Sequence, residues 1–262
     1  MPFSIVYNSL MELYYQQLGE GTPIIILHGL FGSSDNWSSI GKELATSYQV
    51  FLVDQRNHGK SPHHEQWDYD VMSEDLKNFI EQQALSSPIV LGHSMGGKTA
   101  MWFACKYPQL LSKLIVADMG ARAYAPHHQT ILEGLNAVAI DQLKSRKEAD
   151  EQLGQYIPDF TTRAFLLKSL YRDNGQFAWR INLPVITNNI LNIMEALPAA
   201  YTFSGETLFV RGGKSDYIQE EDVPTIKTHF PQATLTTIAE AGHWLHAEQP
   251  KAFLETITHF IK

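Results

Sequence analysis

Cysteine is nearly absent from this 262-residue chain, which contains Cys105 alone. One thiol closes no internal disulfide, so a disulfide-stapled fold is excluded and a reducing compartment is expected. Cys105 follows the apolar run Ala100–Ala104 and reads as a buried structural thiol. No apolar stretch approaches the about 18 residues of a membrane span, and residues 1–10 show neither a basic start nor an apolar signal core. Positive charge is also short: 20 Lys and Arg stand against 28 Asp and Glu, a net −8, with no basic block. That balance argues against nucleic acid or an anionic membrane as the main partner. The expectation is a soluble cytoplasmic protein, monomeric or weakly dimeric. A hydrophobic share of 44% supports a sizeable core, and the length suits one α/β domain with an insertion.

Short apolar runs and helix-period segments alternate through the first part of the chain. Phe3–Tyr7 and the alternating Met11, Leu13 and Tyr15 predict an antiparallel entry hairpin, with Gly19–Pro23 as turn punctuation. The continuous runs Ile24–Leu27, Val50–Asp54, Pro88–Leu91 and Leu114–Asp118 predict strands covered on both faces. Trp37, Ile40 and Leu44 recur at helical spacing, and further helices are expected over Tyr69–Ala84 and Met95–Tyr107. This order specifies a mostly parallel sheet with right-handed crossovers. From about Gly120 to Ser204 the helix period persists without a convincing strand, over Thr130–Ala139, Arg146–Tyr156, Thr161–Tyr171 and Ile186–Leu197. The turn signals Pro158–Asp159, Asp173–Gly175 and Leu183–Pro184 separate these helices, so an all-helical insertion is expected. Strands return at Thr207–Arg211 and Ala233–Ile238, with a helix at Asp222–Phe230 between them and a terminal helix over His246–Ile261.

Ligands of an open parallel sheet sit outside the carboxyl ends of its strands. Polar residues follow the predicted strands at His28, Asp54, Ser94, Asp118, Asp216 and His243. Ser94 lies in Gly92-His93-Ser94-Met95-Gly96, a Gly-x-Ser-x-Gly sequence joining a strand to a helix. There the glycines admit a tight turn and the serine is held at its tip. Alone, such a match arises by chance in roughly one chain in ten of this length. A serine hydroxyl becomes a nucleophile when an imidazole takes its proton and a carboxylate fixes that imidazole. Ser94, Asp216 and His243 supply these groups in the order Ser, Asp, His. The developing oxyanion would meet the backbone N–H groups of Met95 and Leu30.

These segments resemble the α/β-hydrolase-fold serine hydrolases, and within them the bacterial YbfF-type esterases. The resemblance rests on residues 27–33 (Leu-His-Gly-Leu-Phe-Gly-Ser), 54–61 (Asp-Gln-Arg-Asn-His-Gly-Lys-Ser), 92–98 (Gly-His-Ser-Met-Gly-Gly-Lys) and 241–244 (Ala-Gly-His-Trp). It implies an eight-stranded, mostly parallel sheet with helices on both faces. The core would be formed by 1–120 and 205–262, with 121–204 as an all-helical cap. It also implies hydrolysis of carboxylic esters or acyl thioesters through an acyl-enzyme, without cofactor. Asp216 sits in a segment similar to the common Gly-x-x-Asp acid loop. Some YbfF-like sequences have serine at the Ser215 position and no adjacent aspartate, and there Asp118 is the alternative acid.

Phe31, Trp244 and Tyr217 are candidate walls of an apolar acyl pocket, together with Met95, Trp37 and Trp179. His28 and His93 read as structural hydrogen-bonding groups, and Asp54-Gln55-Arg56 as a brace through an internal ion pair. The pairs His63-His64 and His127-His128 have no partners at ligand spacing, so no metal is expected. Carbon–carbon bond hydrolases or lyases, aminopeptidases and a non-catalytic ligand receptor are the alternative functions.

Overall fold

The computed structural model describes residues 11–262. The predicted strand at Phe3–Tyr7 lies outside them. Among the described residues the main sheet has seven strands rather than eight. They are β1 (Tyr15–Leu18), β2 (Pro23–Leu27), β3 (Gln49–Val53), β4 (Ile89–His93), β5 (Lys113–Ala117), β8 (Glu206–Gly212) and β9 (Ala233–Ile238), in the spatial order β1-β3-β2-β4-β5-β8-β9. β1 runs antiparallel to β3, and every other neighbouring pair is parallel.

The continuous apolar runs become inner strands because both of their faces are covered. Alternate residues serve opposite layers. Ile24, Ile26, Val50, Leu52, Leu91 and Ile115 pack with Trp37, Ile40, Leu44, Phe253 and Ile257, the inward stripes of α1 (Ser38–Leu44), the turn before it and the terminal helix α10 (Pro250–Ile261). Ile25, Leu27, Phe51, Val53, Val90 and Val116 pack beneath α2 (Tyr69–Gln82) and α3 (Met95–Lys106). The expected terminal helix is two pieces, α9 (Leu245–Glu248) and α10, because Pro250 has no N–H to continue the first and instead opens the second. Cys105, expected to be buried, is half-buried.

Residues between β5 and β8 carry α4 (Gln129–Ala137), α5 (Arg146–Leu153), α6 (Phe160–Leu166) and α7 (Leu183–Asn189). They are not all helical. The helix predicted over Thr161–Tyr171 stops at Leu166, and β6 (Leu170–Asp173) pairs antiparallel with β7 (Gln176–Trp179). Asn174 and Gly175 form the two-residue loop with φ of 49° and 88°. Both are positive, as a twisted hairpin turn requires and as Asn-Gly tolerates. The turn read as a helix separator is therefore a strand reversal.

Candidate active site

Ser94 stands between β4 and α3 with φ 54° and ψ −121°, a backbone conformation costly for a residue with a side chain. Packing over-determines it. A Cβ on Gly92 would fall 2.1 Å from the Gly96 carbonyl oxygen, and one on Gly96 would fall 2.4 Å from that of Leu27. Only glycine lets the helix start this close to the sheet.

The turn brings Ser94 Oγ within 3.0 Å of His243 Nε2. His243 Nδ1 in turn lies 2.7 Å from Asp118 Oδ2, whose side chain is fully buried at the end of β5. Asp118 Oδ1 accepts the Gly212 N–H at 2.9 Å, and the Ser215 hydroxyl donates to Oδ2. The carboxylate beside His243 is thus Asp118, and not Asp216 as the acid-loop spacing suggested. β8 continues to Gly212, and the turn after it brings Ser215 to the imidazole–carboxylate pair. Asp216, one residue further, is exposed and accepts a hydrogen bond from Gln219 Nε2. Asp118 can reach because its own φ is 50° and because β5 and β8 are hydrogen-bonded neighbours.

The N–H groups of Leu30 and Met95 donate to no backbone carbonyl among the described residues. Their loops are fixed by histidines. His28 Nδ1–H donates to the Gly29 carbonyl at 2.8 Å while Nε2 accepts from Gln55 N–H. His58 Nε2 accepts from Phe31 N–H at 3.2 Å, and its Nδ1–H donates to the Arg56 carbonyl. Each imidazole must therefore be neutral, and burial holds His28 down to about 4 and His58 down to about 3. His93 Nε2–H donates to the His243 carbonyl at 2.8 Å, and burial lowers its basicity too. The brace at Asp54-Gln55-Arg56 takes a different form from the one expected. Asp54 accepts the Ser34 and Lys60 N–H groups, whereas Arg56 makes a two-pronged pair with Asp75 of α2.

Two residues to which the sequence assigned no role at the site shape its surroundings. Lys98 of α3 is fully buried, and its ammonium donates to the carbonyls of Arg122 and Glu195. Those carbonyls lie near the two ends of the insertion, so one side chain ties both to the helix that follows Ser94. Burial lowers the Lys98 ammonium to about 7. His127 Nε2 lies 2.6 Å from the hydroxyl of Tyr217, whose ring stacks on His243 at 3.8 Å and 13°. The Tyr217 carbonyl accepts from Tyr124 OH.

Two cavities meet at Ser94. One, of about 300 Å³, runs between Gly29, Trp37, Phe165, Lys168, Trp244 and His246. The other, of about 20 Å³, is enclosed by Leu30, Met95, Tyr69, Met119, Met194 and Tyr217. Of the expected pocket walls, Trp244, Trp37, Met95 and Tyr217 line these cavities. Phe31 is buried outside both linings, and Trp179 lines a separate surface cleft. Among the described residues no three His, Cys, Asp or Glu side chains form a metal-holding group, and no helix is long and apolar enough to cross a membrane.

A family model described as the alpha/beta hydrolase fold matches residues 22–147. The sn-1-specific diacylglycerol lipase ABHD11 of Danio rerio is 38% identical over 252 residues, covering 93% of this chain and 80% of that protein. Esterase YbfF of Escherichia coli K12 is 34% identical over 249 residues, covering 94% and 95%. The solved structure of a marine microorganism esterase superposes with a TM-score of 0.93 at 45% identity, over 95% of this chain and 99% of that one.

Proposed function

The chain belongs to the α/β-hydrolase family, in its esterase and lipase branch, and on that premise we propose that it cleaves esters through an acyl-enzyme formed on Ser94. The observation that carries this reading is the unbroken relay from Ser94 Oγ to His243 at 3.0 Å and on to Asp118 at 2.7 Å, beside two unengaged backbone N–H groups.

In this mechanism Ser94 Oγ attacks the ester carbonyl as its proton passes to His243 Nε2. Asp118 keeps the proton of His243 on Nδ1 and stabilises the imidazolium that forms. The tetrahedral oxyanion accepts hydrogen bonds from Leu30 and Met95 N–H at the start of α3, where the helix dipole favours negative charge. Collapse expels the alkoxide, which takes the proton from His243. Water, deprotonated by the same imidazole, then releases the acid and frees Ser94. The Tyr217 ring backs the imidazole throughout. The substrate is a small acyl ester or thioester whose two halves divide between the cavities that meet at Ser94, with residues 121–204 acting as the cap.

A fluorophosphonate probe is expected to label Ser94 in the folded protein, and a panel of acyl esters, acyl thioesters and amides to show turnover that Ser94→Ala removes. Hydrolysis unchanged in that variant would overturn the mechanism.

A further inference from the structure

The β6–β7 ribbon builds a second concave site, away from Ser94. A cleft of about 600 Å³ is lined by Lys144, Arg146, Tyr171, Arg172, Phe177 and Arg180. Four cations therefore gather on one face of a chain in which acidic residues outnumber basic ones by 28 to 20. None of the four pairs with a carboxylate among the described residues. The nearby Glu148 carboxylate instead accepts the Lys144 backbone N–H. Like charges gathered without counter-ions repel, and the repulsion is relieved when an anion enters.

The guanidinium groups are also held in place. The Arg180 guanidinium lies over the Tyr171 ring at 4.7 Å, and that of Arg172 over Phe177 at 4.3 Å. Arg172 donates to the carbonyls of Gly175 and Lys144, and Arg146 to those of Leu167 and Leu170. An arginine carries five N–H donors in a rigid fork. Two are engaged on Arg146 and two on Arg172, while the Arg180 side chain is held by stacking on Tyr171. Oriented forks with donors to spare match the several oxygens and double charge of phosphate better than a lone carboxylate, which one fork satisfies.

We propose that this cleft binds a phosphate-bearing anion. The site shares no lining residue with the catalytic cavity but adjoins it along the chain: the carbonyl held by Arg146 belongs to Leu167, which precedes the cavity-lining Lys168.

The test titrates the full chain with pyrophosphate by calorimetry, and separately with phosphatidylcholine vesicles with and without phosphatidylglycerol by flotation. Wild type is compared with Arg172→Gln/Arg180→Gln. Pyrophosphate binding that weakens with added salt and falls at least ten-fold in the double variant is the expected result, with p-nitrophenyl acetate turnover within about two-fold of wild type. Binding to the anionic vesicles alone, lost in the same variant, supports the site with a lipid headgroup as its source of phosphate. Absence of binding to both, or binding of equal strength in the variant, overturns the proposal. Arg180→Gln alone carries the same comparison if the double variant does not fold, because the Arg180 side chain supports the ribbon only by stacking on Tyr171.

Discussion

The ends of the parallel strands and the insertion that covers them are built on different principles. At the strand ends, buried polar groups are interlocked. Asp118 is engaged by His243, Gly212 and Ser215, and four neutral histidines each hold a backbone segment or pack against one that does. The insertion has short helices, a two-stranded ribbon and cations that no carboxylate neutralises, and it is tied down at its ends through Lys98. The difference separates two tasks. Geometry that must be reproduced to a fraction of an ångström rests on close packing and shared hydrogen bonds, whereas a covering segment tolerates looser construction.

The largest test of this contrast exchanges the two aspartates. Asp118→Asn is expected to lower kcat by about 10³- to 10⁴-fold, since the imidazole loses its orienting acceptor. Asp216→Asn should remain within about two-fold in the same ester assay. Equal losses in both would break the distinction between interlocked strand end and free loop.

Acid stability comes next. His28 and His58 titrate in the fold at about 4 and about 3, and His246 at about 3, against about 6.5 in the unfolded chain. Their contribution is complete above pH 6.5. It declines as pH falls, because only the unfolded chain takes up those protons. Each adds a slope of about 1 kcal/mol per pH unit in that window. Denaturant midpoints measured from pH 7 to pH 4 should fall steeply, and less steeply in His246→Phe, which keeps the stack on Trp37. Parallel slopes would show that His246 does not stay neutral in the fold.

Tyr217 probes the seam between the two regions. Tyr217→Leu removes the stack on His243 and should lower kcat by up to about ten-fold with a smaller change in KM. Tyr217→Phe keeps the ring and loses only the His127 contact, and should recover most of that rate. Equal loss in both would place the effect in the hydroxyl instead. The smallest effect is expected at Met194. Its truncation to alanine widens the 20 Å³ cavity and should improve the next longer homologue of one ester half by several-fold relative to acetate-sized esters, leaving the other half's preference unchanged. Chain-length series varied separately in acyl and alcohol halves would read this directly.

Much of the strand-end region was legible in sequence because its constraints are local. Four-residue apolar runs mark inner strands, and Gly92 and Gly96 mark a turn that no side chain fits. Both candidate acids were legible, but not the choice between them. Asp118 and Asp216 both follow strands, and the choice depends on β5 and β8 lying side by side, which brings Ser215 against the imidazole–carboxylate pair where the acid loop predicted Asp216. The ribbon left a signal in Asn174-Gly175, but the helical period of Thr161–Tyr171 outweighed it. His58 left none, since its partner Phe31 is 27 residues away.

The sequence by itself determined the alternation of strands and helices, the turn that carries Ser94 and the candidate base, because each depends on residues within a few positions of one another. Tertiary structure alone decided which carboxylate meets His243, how Lys98 holds both ends of the insertion, and where four cations gather. Those outcomes depend on the distance between segments far apart in the chain, which is set only when the sheet and its covering layers pack.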